Sequence, residues 1–96
     1  MSAHIVFEMQ FKPEAADGFA AAMPGLLVET RQFEGCERVN VLRDQADPTR
    51  FVLVEQWRSK ADYEKYLAWR QSTGMMDQLQ NTLAAAPVLR YFDFVA

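Results

Sequence analysis

The chain is poor in the residue types that build disulfides, metal sites and membrane spans. It has one cysteine, Cys36, and one histidine, His4, among 96 residues. A single cysteine excludes a disulfide within the chain, and one histidine without a carboxylate cluster argues against a metal site. No apolar run approaches the roughly 20 residues that a membrane-spanning helix needs. We therefore expect neither a metal ion nor a membrane span.

Positive charge is also scarce. Ten Lys and Arg residues stand against 13 Asp and Glu residues, which gives a formal net charge of -3. Nucleic acids and anionic membranes attract basic surfaces, so we expect the protein to bind neither. The first residues, MSAHIVFEMQF, lack the cationic and apolar regions of a signal peptide. These features predict a cytoplasmic protein.

Glycine and proline are few, with four of each, and the chain shows no repeat, linker or low-complexity segment. Residues 1–96 are therefore predicted to form one domain. A domain of this size buries a modest core, which makes self-association attractive.

Apolar residues alternate with polar residues in four segments, which is typical of strands. The predicted strands are residues 4–11, 36–43, 50–57 and 88–95. The loop 44–49 has the sequence DQADPT, which suits a hairpin between the second and third strands.

Helical spacing fills the intervals between these strands. A first helix begins near Pro13, and Pro24 inside it is expected to kink it or split it in two. Ser59 and Asp62 form a capping box for a second helix, which Gly74 breaks into a longer and a shorter part. The order β-α-β-β-α-(α)-β predicts an α+β, ferredoxin-like fold with an antiparallel four-stranded sheet.

The third strand is apolar on both faces, since residues 51–54 read FVLV. The helices can cover only one face of the sheet, so a second copy of the chain is expected to cover the other. Leu53, Glu55 and Trp57 are predicted to face the helices, together with His4, Glu8, Arg38 and Asn40. The face left for the second copy is predicted to hold Ile5, Phe7, Met9, Val39, Val41, Val52 and Val54.

The segment FEGCERVNVLRDQADPTRFVLVEQWRSKADYEKYL resembles the central part of the antibiotic biosynthesis monooxygenase family. Glu-Gly-Cys precedes the second strand, Asp-Pro lies in the hairpin loop, and Glu-x-Trp closes the third strand, all in the family's order. The resemblance implies a ferredoxin-like monomer that pairs sheet to sheet into a dimeric α+β barrel, with a pocket between sheet and helices. Some members oxidise phenols or quinols with O2 and no bound cofactor. Relatives degrade haem or isomerise small sugar-derived signals.

The resemblance also suggests site residues. Trp57 matches the family's Trp at the end of the third strand, and Tyr63 matches a pocket Tyr of the phenol-oxidising members. Those members carry an Asn where this chain has Leu53, and Tyr66 stands near a His of the quinol-oxidising members. The catalytic candidates are therefore Trp57 and Tyr63. Haem binding is not expected, because the later helices contain no histidine.

The substrate pocket is predicted to contain Asn40, Leu53, Glu55 and Tyr66 beside Trp57 and Tyr63, and to need no cofactor. Two roles are considered for Glu55. It is a general base if burial raises its pKa, or it forms an ion pair with Arg38 or Arg90, and the ion pair is the favoured interpretation. Three functions stay open: oxidation of a small aromatic compound with O2, isomerisation of a small carbonyl compound through Glu55 or Tyr63, and binding of an aromatic ligand without catalysis.

Overall fold

Four strands and three helices make up the computed structural model, which describes residues 2–96. In chain order they are β1 (Ala3–Gln10), α1 (Pro13–Gln32), β2 (Cys36–Arg43), β3 (Arg50–Trp57), α2 (Lys60–Ser72), α3 (Met75–Gln80) and β4 (Val88–Phe92). The strands form one antiparallel sheet in the order β2-β3-β1-β4. The predicted ferredoxin-like α+β fold is thus confirmed. None of the helices in residues 2–96 has the length and apolar character to cross a membrane.

Helix α1 starts with Pro13 in its first turn, as predicted, but it continues through Pro24 to Gln32. Of the two outcomes predicted for Pro24, a kink or a split of the helix, the split is wrong. Pro24 and Gly25 lie on the exposed side of the helix, whereas Met23 and Leu27 are buried on either side of them. Packing of the buried residues therefore holds both halves in one helix despite the missing N–H of Pro24.

Helix α2 begins where the sequence predicts. The backbone N–H of Asp62 donates to the Ser59 hydroxyl oxygen at 3.1 Å, and the hydroxyl donates to the Asp62 carboxylate at 3.0 Å. Gly74, with a φ of +78°, separates α2 from α3 because glycine adopts this left-handed conformation without strain.

The turn between α1 and β2 is bound to the start of α2. Gly35 has a φ of +91°, and a Cβ atom there would lie 2.6 Å from the Cβ of Asp62. The carbonyl of Gly35 accepts from the Arg58 N–H at 2.8 Å, and the Arg58 guanidinium donates to both carboxylate oxygens of Asp62. The absent side chain of Gly35 thus allows α2 to pack against this turn.

The strand register corrects the predicted faces of the sheet. Phe7 pairs with Leu53 and Ile5 pairs with Glu55, while Val41 also pairs with Leu53. Directly paired residues share a face, so the apolar residues of β1 and β2 lie on the helix-covered side and not on the open side. The helix-covered side holds Ile5, Phe7, Met9, Val39, Val41, Phe51, Leu53, Glu55 and Trp57.

The open face of the sheet is also apolar, though with other residues than predicted. Val52 and Val54 lie there as expected, and the register adds Val6, Leu42, Val88 and Phe92. His4, Glu8, Arg38 and Asn40 lie on this side as well, so their predicted position facing the helices is wrong.

The core between sheet and helices consists of two clusters. The centre of the first cluster consists of Phe7, Met9, Phe11 and Phe51. The second cluster consists of Ile5, Trp57 and Tyr63. Packing between them is incomplete and leaves the cavity described next.

Candidate functional site

A cavity of about 120 Å³ lies between the helix-covered side of the sheet and the three helices. Strand side chains form its floor, and α1, α2 and α3 form its walls. Its lining is predominantly apolar: Phe7, Met9, Phe19, Met23, Leu26, Leu27, Leu53, Leu67, Met75, Met76 and Leu79, with the polar residues Thr30, Glu55, Tyr63, Tyr66 and Arg70. Apolar walls with a few polar groups are typical of small-ligand sites.

Glu55 is the carboxylate of this cavity. It lies in the middle of β3 between Ile5 of β1 and Val39 of β2, and only 4% of its surface is exposed. One carboxylate oxygen accepts a hydrogen bond from the Trp57 indole N–H at 3.1 Å. Within residues 2–96 no Arg, Lys or His forms an ion pair with it, and no donor reaches its second oxygen.

The favoured ion-pair interpretation of Glu55 is therefore wrong. Arg90 instead pairs with Glu8 at 3.0 Å on the open face, where Arg38 also lies. Removal of the carboxylate from water disfavours its charged form, and this burial raises the pKa of Glu55 from 4.5 to about 7, although the Trp57 hydrogen bond opposes the rise. A group of this pKa exchanges protons at neutral pH.

Trp57 does not line the cavity. Its side chain is 0% exposed, and its ring packs against Tyr66, Tyr63 and Phe33 at centroid distances of 5.0, 5.5 and 6.2 Å. The structure thus places Trp57 in the core behind Glu55, where its N–H orients the carboxylate. Trp57 and Tyr63 were both expected to line the pocket, and of the two only Tyr63 does so.

Tyr63 comes from the first turns of α2, which the Ser59 cap fixes against the sheet. The residue is 1% exposed and lines the cavity. Its hydroxyl finds no hydrogen-bond partner within residues 2–96. Burial and the neighbouring Glu55 carboxylate raise the pKa of Tyr63 well above its ordinary value. The phenol therefore stays protonated and can donate a hydrogen bond to a ligand.

Tyr66 lies one helical turn further and belongs to a polar cluster that links α2 to α1. Arg70 Nε donates to the Tyr66 hydroxyl at 2.9 Å, and the Tyr66 and Thr30 hydroxyls are 2.7 Å apart. Arg70 Nη2 donates to Thr30 Oγ1 and to the Leu26 carbonyl, each at 3.0 Å. Arg70, although charged, is 4% exposed. Neither Thr30 nor Arg70 was predicted as a site residue. The sequence feature that could have indicated this cluster is an arginine four residues after Tyr66, on the same side of α2.

Of the remaining candidates, Leu53 lines the cavity floor and Asn40 does not. Asn40 pairs with Val54, and both lie on the open face of the sheet. Its predicted place at the cavity is wrong because strand side chains alternate between faces, and Asn40 falls on the side opposite Glu55. Among residues 2–96, no group of three or more His, Cys, Asp or Glu side chains is placed to hold a metal ion.

Solved structures similar to this chain share its fold. A crystal structure described as an antibiotic biosynthesis monooxygenase is 24% identical, covers 98% of this chain and 99% of its own, and superposes with a TM-score of 0.87. A conserved protein from Methanosarcina mazei is 20% identical, with 96% and 91% coverage and a TM-score of 0.85. A Mycobacterium tuberculosis protein is 14% identical, with 100% and 97% coverage and a TM-score of 0.87.

The sequence itself gives a family match. No curated protein matches this chain. The family model described as antibiotic biosynthesis monooxygenase, however, matches residues 2–78, which include β1 to β3, α2 and Glu55, Trp57 and Tyr63. The chain therefore belongs to the antibiotic biosynthesis monooxygenase family.

Proposed function

We propose that this protein oxidises a small phenol or hydroquinone with O2, without a bound cofactor, and that Glu55 accepts the proton of the substrate hydroxyl. The observation that carries the proposal is Glu55: a carboxyl group on the floor of an apolar cavity, without an ion-pair partner in residues 2–96 and with its pKa raised to about 7. A general base works best when its pKa lies near the working pH. The family match supports the reaction class.

The reaction needs no external reductant. Loss of the hydroxyl proton to Glu55 leaves an electron-rich phenolate, which can transfer an electron to O2 directly. For a hydroquinone, one oxygen atom replaces a ring hydrogen and the other leaves as water, so hydroquinone and O2 give a hydroxyquinone and water. All four electrons that reduce O2 come from the substrate. The chain's contribution is to hold the ring, exclude water and accept the proton.

The size of the cavity favours a substrate with a single ring. Its volume is about 120 Å³, somewhat less than the roughly 150 Å³ of an apolar protein cavity that binds benzene, so it has no room for a second ring. Within it, Glu55 takes the proton and Tyr63 can donate a hydrogen bond to the substrate oxygen. Trp57 acts through Glu55 as a positioning residue. A polycyclic substrate would require the cavity to widen.

Oxygen consumption with a set of small phenols and hydroquinones tests the proposal. We expect uptake with at least one single-ring compound, and Glu55→Gln should lower the rate by about 10²-fold or more, the typical contribution of a general base. Glu14→Gln is the matched control, because Glu14 is exposed in the first turn of α1 and lies outside the cavity lining. Equal rates in Glu55→Gln and the wild type, or no uptake with any compound, would contradict the proposal.

The proton-transfer groups also suit an isomerase, since Glu55 and Tyr63 could move a proton within a small carbonyl compound without O2. Exchange of substrate hydrogen for deuterium under anaerobic conditions would favour this alternative. Binding of aromatic compounds with neither exchange nor oxygen uptake would favour a non-catalytic binding protein.

We also propose that two copies pair through the open faces of their sheets. Val6, Val52 and Val54 are half-buried there, and Leu42, Val88 and Phe92 are exposed. Burial of a large apolar side chain contributes about 1.5–3 kcal/mol, so covering this face would contribute on the order of 10 kcal/mol. The family is usually dimeric, which supports the proposal. The cytoplasmic location stays a prediction.

A further inference from the structure

The cluster of Arg70, Tyr66 and Thr30 has more hydrogen-bond donors than the protein uses. Arg70 offers five N–H hydrogens, and each hydroxyl offers one O–H hydrogen. Arg70 Nε and Nη2 donate to Tyr66, Thr30 and the Leu26 carbonyl, and the two hydroxyls share one hydrogen between them. One hydroxyl hydrogen remains. Arg70 Nη1 is not part of this surplus, because it forms an ion pair at 3.7 Å with the exposed carboxylate of Glu29.

The cavity floor has a hydrogen-bond acceptor that no donor of the described residues reaches. Glu55 has a carboxylate oxygen to which no group in residues 2–96 donates, and it forms no ion pair with Arg70. Glu55 belongs to the sheet, whereas Arg70, Tyr66 and Thr30 join the two long helices above it. The cavity thus has an acceptor oxygen on its floor and one unused hydroxyl hydrogen on its wall, and the rest of its lining is predominantly apolar.

We propose that Arg70, Tyr66 and Thr30 form a specificity site in this cavity, which selects aromatic ligands that carry an acceptor oxygen across the ring from the hydroxyl facing Glu55. A carbonyl or phenolate oxygen has the required chemistry. The inference rests on the cavity being the ligand site of the proposed function.

A purely structural role would explain only part of this arrangement. The bonds to Leu26 and Thr30 do join α2 to α1. No fully buried side-chain nitrogen or oxygen of residues 2–96 lacks a partner, so the link is satisfied without a ligand, and what it leaves unused is one hydroxyl hydrogen at the cavity wall. A ligand oxygen accepting from the spare hydroxyl hydrogen would complete the cluster, whereas an apolar group in the same place would leave it incomplete.

Binding of three probes of similar size tests the inference. The probes are 4-hydroxybenzaldehyde, which has both polar groups, 4-methylphenol, which lacks the acceptor, and benzaldehyde, which lacks the hydroxyl. We expect anaerobic calorimetry on the wild-type protein to show 4-hydroxybenzaldehyde bound at least about 10-fold more tightly than 4-methylphenol, because a polar site rejects an analogue that leaves its groups unpaired. Equal affinity of these two probes would overturn the proposal.

Variants assign the preference to the cluster. The spare hydrogen belongs to whichever of Tyr66 and Thr30 does not donate to the other, so the test uses Tyr66→Phe, Thr30→Val and the double variant. The double variant should bind both phenols within about 2-fold of each other, whereas loss of a structural link alone would weaken both and preserve their ratio. A preserved ratio would overturn the proposal.

The matched control is Tyr91→Phe, since Tyr91 lies outside the cavity lining and is exposed. It should retain the full preference. Should the double variant fail to fold, the wild-type comparison of the probes still decides. Because the readout is anaerobic binding, the result is separate from the oxidation test: selective binding without oxygen uptake would remove the proposed function and keep the specificity site.

Discussion

At the scale of single residues, Glu55 couples the stability of the fold to the chemistry of the cavity. Its pKa is about 7 in the folded chain and near 4.5 when exposed to water. Between these two values the folded state binds more protons than the unfolded state, so the free energy of unfolding falls as pH rises. The charged form that destabilises the fold is the form that accepts a proton from a substrate.

We therefore expect the wild-type protein to lose about 3 kcal/mol of stability between pH 4.5 and pH 7.5 relative to Glu55→Gln, as the pKa difference implies. The comparison requires urea unfolding of both proteins across this range. In the wild type any oxidation rate should rise as pH increases through about 7. Parallel stability curves for the two proteins would show that Glu55 has an ordinary pKa.

The residue scale is also where sequence reasoning succeeded least. The cavity positions of Leu53, Tyr63 and Tyr66 agree with the prediction, since β3 and the capped α2 have clear patterns. Asn40 and Trp57 were misplaced. Strand alternation tells which residues share a face but not which face meets the helices, and whether a terminal Trp bends toward a cavity or behind a neighbour depends on packing.

At the scale of secondary-structure elements, local chemistry determined most boundaries. The strands 36–43 and 50–57 match β2 and β3, because a hairpin loop rich in Asp and Pro lies between two alternating segments. Helix α1 and β4 differ from prediction: α1 continues past Pro24, and β4 ends at Phe92 rather than residue 95. Both outcomes depend on tertiary contacts, which no local pattern contains.

The two left-handed glycines allow a matched test at this scale. A side chain at Gly74 would meet nothing within 4 Å, whereas one at Gly35 would meet Asp62. Gly74→Ala should cost about 1–2 kcal/mol for the left-handed backbone alone. Gly35→Ala should lower the free energy of unfolding by about 1–3 kcal/mol more, because the new Cβ displaces Asp62. Asp62 then loses its hydrogen bonds to Arg58 and to Ser59, the cap of α2. Equal losses in chemical denaturation would show that the turn and α2 do not depend on this contact.

At the scale of the whole molecule, the proposed dimer predicts how the chain behaves in solution. Val52→Asp places a charge in the open face and should give monomers or aggregates, because a buried unpaired carboxylate is strongly unfavourable. Val28→Asp, on the exposed side of α1 where Val28 is 51% exposed, is the control and should leave the dimer intact. Light scattering at micromolar concentration measures the state. A stable wild-type monomer would contradict the pairing of sheets.

The bond between Trp57 and Glu55 gives the cavity an optical reporter. On excitation, indole moves electron density away from the ring that carries its N–H, so a negative charge beside that N–H lowers the energy of the excited state. The Glu55 oxygen lies 3.1 Å from it. Ionisation of Glu55 therefore shifts the emission of Trp57 to longer wavelength, and a ligand that changes this charge changes the colour of the light. With Trp69 replaced by Phe, the fluorescence of the chain follows the proton of one carboxyl without any added dye.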